Sequence, residues 1–161
     1  MKKIFILILA IAPIFTFSQG AQQLDINWIS LEKAKMYAKK YDKNILIYFY
    51  KKDCPYCDKM SKETLKDLNV INVINKNFFP VKIDSRTKDI ISYDGKKYSN
   101  QQPISHGSTW RHDFYAEVAE YRERITTPTI VLFNSKFEIS TVLAGNQPKE
   151  LLLRRIKPYI K

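Results

Sequence analysis

Residues 44–57 read NILIYFYKKDCPYC, and the order of features in this stretch carries the fold. Asn44 to Tyr50 is a short apolar run of β-branched and aromatic residues, the composition of a strand buried on both faces. Cys54-Pro55-Tyr56-Cys57 follows almost at once and holds both cysteines of the chain. Pro55 suits the first position of a helix, where its missing N–H and fixed φ are harmless. A helix from near Cys54 would carry Cys57, Met60, Thr64 and Leu68 on one face and Lys59, Lys62 and Lys66 outward. A strand running straight into a helix is where open α/β sheets place their chemistry, outside the strand's carboxyl end.

The cysteine spacing matters physically. Two cysteines three apart at a helix start can close a disulfide at little backbone cost, and the first sits where unpaired N–H groups and the helix dipole favour a thiolate. Cys54 is therefore the expected nucleophile. Cys57, one turn inside on the apolar face, is expected to be shielded and to attack the mixed disulfide that Cys54 forms with a substrate. Lys51 and Lys52 add positive charge beside the pair, and Asp53 subtracts some.

Outward from this stretch, Leu31, Ala34, Ala38 and Tyr41 recur at helical spacing after Ser30, an N-cap residue, with Glu32 in the first turn. Phe79 to Asp84 reads as a second strand, with Pro80 tolerable only at its beginning. The first two strands, joined by a helical crossover, must run parallel. Thr129 to Phe133 and Glu138 to Leu143 form a hairpin around Asn134 and Ser135. Gly145 and a last helix from Pro148 follow, with Leu152, Ile156 and Ile160 as its apolar stripe. Helix, strand, helix, strand, hairpin, helix is an α/β pattern.

A length of 161 residues sets one domain as the default and excludes a multidomain machine. With 45% hydrophobic and 27% charged residues the chain is not globally disordered. Two cysteines are too few for a disulfide-stapled miniprotein. Met1 to Ser18 reads as an export signal: Lys2 and Lys3, then an apolar run of about 14 residues against the roughly 20 that span a bilayer, then Thr16 and Ser18. Cleavage after Ser18 leaves residues 19–161 as one domain and lowers the net charge from +11 to +9. Export also permits a disulfide to persist.

The run ILIYFYKKDCPYC, the segment NFFPVKID, Thr127-Pro128-Thr129 followed by IVLF, and Gly145 with its closing amphipathic helix together resemble an exported thioredoxin-like protein. The resemblance covers most of residues 26–161. It implies an α/β thioredoxin-like fold, a central mixed sheet flanked by helices, with an insertion before the strand that follows a cis proline. It implies that Pro128 is that cis proline facing the cysteines, and that the backbone of Thr127 receives an extended substrate peptide. Tyr56, between the cysteines, is a further substrate-binding candidate that the resemblance itself does not carry. The function it implies is thiol-disulfide exchange between Cys54-Cys57 and cysteines of exported proteins, in the periplasm or outside the cell, with a redox partner. No cofactor, metal, nucleic acid or lasting membrane anchor is expected, and a monomer is. Two positions depart from thioredoxins proper: Asp53 stands where a tryptophan precedes the first cysteine, and Tyr48 where the preceding strand carries a buried acid.

Forty-three residues separate Asp84 from Pro128, longer than ordinary connections. Within this segment, residues 85–126, Asp94-Gly95 between Ile90, Ile91, Tyr93 and Tyr98 reads as a hairpin turn. Phe114, Val118, Tyr121 and Ile125 read as a helix that ends just before Thr127-Pro128. The hairpin is either decoration or part of a substrate groove. His106 and His112 raise a metal reading, in which the same fold holds copper or a partner without turnover, but the 48 residues between Cys57 and His106 far exceed the about 12–15 of a zinc finger. The basic residues are spread over every helix, unlike a nucleic-acid-binding patch.

Overall fold

The computed structural model describes residues 25–101 and 111–160; residues 1–18, read above as an export signal, and His106 lie outside the described residues. Ser30 caps α1 (Leu31–Tyr41), its hydroxyl accepting from the Lys33 N–H. Next come β1 (Asn44–Tyr50), α2 (Pro55–Lys59) with a π turn (Met60–Thr64), α3 (Leu68–Asn77) and β2 (Phe78–Asp84). The long connection holds β3 (Ile91–Tyr93), β4 (Lys96–Tyr98) and α4 (Asp113–Val118). It leads into β5 (Thr129–Phe133), β6 (Ile139–Ala144), α5 (Lys149–Ile156) and a short 3₁₀ turn (Lys157–Tyr159).

The main sheet has the order β2-β1-β5-β6, with β1 parallel to β2 and antiparallel to β5, and β5 antiparallel to β6. It is a mixed sheet with helices on both faces. The unbroken apolar run of β1 is thereby explained, because alternate residues enter two cores. Leu46 and Tyr48 join Met60, Ile71, Ile74, Leu152 and Ile156 on one face. Ile45, Ile47 and Phe49 join Ala34, Ala38, Phe114, Tyr115 and Val118 on the other. Each large aliphatic or phenylalanine side chain among them contributes about 1.5–3 kcal/mol on burial, whereas a surface ion pair contributes about 0–1 kcal/mol. The cores therefore outweigh surface pairs such as Lys35–Glu32 in holding the fold.

Several elements differ from the sequence reading, each for a local reason. The helix after Cys54 does not continue to Leu68. The wider π turn rotates the following residues, Leu68 emerges 42% exposed, and Asp67 starts a new helix by accepting from the Asn69 and Val70 N–H groups. That helix, α3, had no clear signal in LNVINVINKN, where β-branched and Asn residues lower helix propensity. Pro80 lies inside β2 rather than at its beginning, which an edge strand allows; its carbonyl accepts from the Ile29 N–H at 2.9 Å. Helix α4 ends at Val118, so Tyr121 and Ile125 are not on it. Ile160 lies beyond α5 and is 37% exposed, because Pro158 follows the last helical turn.

The hairpin is more than decoration. Asp94 and Gly95, at φ 46° and 70°, make its turn. Tyr93 then packs edge-on against Phe114, Phe133 and Phe137, with ring centroids 5.5–6.0 Å apart. His112 caps α4: its Nδ1 accepts from the Phe114 N–H at 3.0 Å, so Nε2 carries the proton and donates to the Asp89 carbonyl at 2.8 Å. The hairpin segment and α4 are thus tied into one support.

Burial raises the phenols of Tyr48, Tyr93 and Tyr115 above their ordinary value of 10.0. The unfolded chain loses these protons first, so the stabilisation is intact below about pH 10 and is lost as pH rises further. The melting temperature should fall steeply above about pH 10, and a Tyr48→Phe/Tyr115→Phe variant should show a flatter decline. Thermal melts monitored by circular dichroism across that range check this; equal slopes would refute it.

Candidate functional site

Register builds the site. In the β1–β5 pairing Phe49 stands opposite Thr129, so the loop leaving β1 at Tyr50 arrives beside Pro128. Asp53 turns that loop with φ 56°, a left-handed conformation that Asp tolerates better than most residues. Cys54 becomes the N-cap of α2 and Pro55 its first residue. Cys54 and Cys57 form a disulfide with Cα atoms 5.2 Å apart.

Cys54 Sγ accepts from the Cys57 N–H at 3.2 Å, the side-chain-to-backbone contact of a helix cap. The same donor remains available when the sulfur is reduced. Both cysteines are buried, Cys54 at 4% and Cys57 at 2% exposure, so the sequence reading of Cys57 as the shielded partner holds only as a small difference. Tyr56 between them is 67% exposed. The Thr127–Pro128 bond is cis, and Cys54 Sγ lies 3.7 Å from the Thr127 carbonyl oxygen. Cys54, Cys57, Thr127 and Pro128 are therefore brought together, with Tyr56 at the same helix start.

Tyr48, where the resemblance has an acid, is fully buried. Its hydroxyl donates to the Cys57 carbonyl at 3.3 Å and lies 3.3 Å from Ser61 Oγ, which then donates back. Burial holds this phenol neutral to higher pH than usual, eased by the Ser61 hydrogen bond. The group beneath the disulfide is thus a neutral donor to the α2 backbone.

Sequence reasoning missed Tyr115. From α4 its hydroxyl donates to the Thr126 carbonyl, which also accepts from Thr129 Oγ1 at 2.6 Å. Its ring packs on Phe49 at 4.9 Å. The insertion thereby anchors the residue next to Thr127. The available signal was a polar-tipped aromatic beside Phe114 in a stripe close to Thr127-Pro128. His112 is buried and fully used as a cap, and among the described residues no group of three or more His, Cys, Asp or Glu side chains converges to hold a metal. Among those residues no helix is long and apolar enough to cross a membrane.

Residues 31–159 match the family model of a thioredoxin-like domain. No curated protein matches the chain. Among solved structures it is similar to a DsbH oxidoreductase, at 15% identity and TM-score 0.58, covering 92% of this chain and 93% of that one. It is also similar to a thioredoxin from Thermus thermophilus, at 19% identity and TM-score 0.56, covering 83% and 86%. A third is the oxidised C-terminal domain of DsbD from Neisseria meningitidis, at 16% identity and TM-score 0.52, covering 80% and 90%. At these identities the likeness is one of fold.

After reduction, the N–H donor facing Cys54 should make it the faster thiol. Iodoacetamide at neutral pH should modify Cys54 about tenfold faster than Cys57, read by peptide mass spectrometry. Equal rates would contradict the geometry.

Proposed function

Because the chain belongs to the thioredoxin-like domain family and carries a CxxC disulfide, we propose that it is a thiol-disulfide oxidoreductase of the cell envelope, exchanging the Cys54–Cys57 disulfide with cysteines of exported proteins. The observation that carries this reading is the placement of Cys54 Sγ, capping α2 and 3.7 Å from the carbonyl that precedes the cis proline. The envelope assignment rests on Met1–Ser18 read as an export signal and on the oxidising compartment in which such a disulfide persists.

The chemistry follows from the arrangement. A substrate thiolate attacks Cys54 Sγ, the Cys54–Cys57 bond breaks, and Cys57 leaves as a thiolate. A second substrate thiol then attacks the substrate's own sulfur in the mixed disulfide and releases Cys54. The substrate ends oxidised by two electrons and the protein reduced by two. Run in reverse, Cys54 attacks a substrate disulfide and Cys57 resolves the intermediate. The Thr127 backbone holds the peptide in extended form as an added strand, and exposed Tyr56 flanks its path.

Two experiments test this reading. Cys54→Ser should abolish exchange, whereas Cys57→Ser should accumulate mixed disulfides with envelope proteins that resolve on adding reductant. A Cys57→Ser protein that traps nothing while Cys54 stays reactive would overturn the assignment. With a neutral tyrosine in place of a buried acid and Pro-Tyr between the cysteines, the potential should lie near about −200 to −230 mV, above the roughly −270 mV of thioredoxin. Equilibration against glutathione measures it.

A further inference from the structure

Beside the cis proline lies a surface feature that thiol exchange by itself does not use. After α4 the chain closes a tight reverse turn, Tyr121 N–H donating to the Arg124 carbonyl at 2.8 Å and Arg124 N–H to the Tyr121 carbonyl at 3.1 Å. Its two central residues, Arg122 and Glu123, are both left-handed, at φ 50° and 61°. Asn-Gly is the usual occupant of such a turn, since most side chains disfavour that conformation. Here a guanidinium is carried at its tip instead.

The turn faces the end of β6 across a cleft of about 570 Å³ lined by Tyr121, Arg122, Arg124, Thr126, Ala144 and Gly145. The cleft adjoins the site, because Thr126 precedes Thr127 and the Gly145 N–H donates to the Pro128 carbonyl at 2.8 Å. A second hollow of about 340 Å³ extends it along β6 past Tyr121 to Arg155. Strand β6 is an edge of the main sheet, a place where an extended peptide can lie. Among the described residues neither Arg122 nor Arg124 forms an ion pair, and Arg122 rests over the Tyr121 ring at 5.3 Å. The neighbouring carboxylates, Glu120 and Glu123, are exposed and do not line the cleft.

We propose that this cleft binds an acidic segment of the protein substrate, with carboxylates about two to four residues from the substrate cysteine paired to Arg122 and Arg124 while that cysteine reaches Cys54. The inference rests on the exchange activity proposed above and names the class of substrate it favours. The cleft stands beside the peptide's backbone platform, and its two unpaired guanidiniums fit carboxylates better than any other common side chain.

The test uses the reduced protein and two synthetic peptides, each closed by one disulfide and flanked by either Glu-Glu or Gln-Gln. In the single turnover each peptide disulfide is reduced to a dithiol while Cys54–Cys57 is oxidised. Chromatography of the products, with the reduced protein in excess, gives the second-order rate constant. The Glu peptide should react about three- to tenfold faster at low salt, and the preference should shrink towards unity near 1 M salt. Arg122→Gln/Arg124→Gln should abolish the preference while leaving iodoacetamide modification of Cys54 unchanged. Lys39→Gln/Lys136→Gln, which removes the same charge near the turn at the far end of β5, should retain it. Equal rates for both peptides, or a preference that survives in the double arginine variant, would overturn the inference and leave the exchange activity standing. Failure to reduce either peptide or a small-molecule disulfide would overturn both.

Discussion

The antiparallel pairing of β1 with β5 sets Phe49 opposite Thr129, and the geometry of the site depends on that register. It joins residues about eighty apart in sequence and brings the loop after Tyr50 against the segment before Thr129. A slip of one residue would turn every β1 side chain to the wrong face, exchanging Leu46 and Tyr48 with Ile47 and Phe49 between the two cores. Burial of both sets forbids the slip. The 3.7 Å approach of Cys54 Sγ to the Thr127 carbonyl is therefore a consequence of core packing on both faces of the sheet.

From that register a line of support runs outward. Phe49 packs on Phe114 and Tyr115, and Tyr115 in turn holds the Thr126 carbonyl. Tyr93 and Phe137 close around Phe114, and His112 ties the start of α4 to Asp89. The long connection thus acts as a brace for the backbone that leads into the cis proline. Its turn at Arg122 and Glu123 brings two guanidiniums to the same edge.

Beneath the disulfide, Tyr48 replaces charge with a neutral hydrogen-bond donor. An ionised carboxylate buried at this depth would carry a large desolvation cost and would act on any nearby thiol proton. A phenol at the Cys57 carbonyl fixes the backbone of α2 instead. The aromatic ring also fills the core, stacking with Tyr50 at 6.0 Å and leaning on Trp28 at 6.1 Å.

Local signals were legible where each residue's own chemistry decides its conformation. The buried strand Asn44–Tyr50, the Ser30 cap, the Pro55 helix start, the Asp94-Gly95 turn and the Cys54/Cys57 pair could all be read from the chain, as could the parallel pairing that a helical crossover forces. The π turn after Lys59, the new helix at Asp67 and the early end of α4 could not, because each is set by packing and hydrogen bonds that override periodicity. The role of Tyr115 and the placement of Arg122 and Arg124 were hidden for the same reason. By itself the sequence determined which residues could do thiol chemistry and on what kind of element they stand. Only the tertiary structure decided what surrounds them, since Thr127 meets Cys54, and Tyr115 and the arginine turn reach the neighbouring Thr126, through contacts between distant parts of the chain that no local pattern encodes.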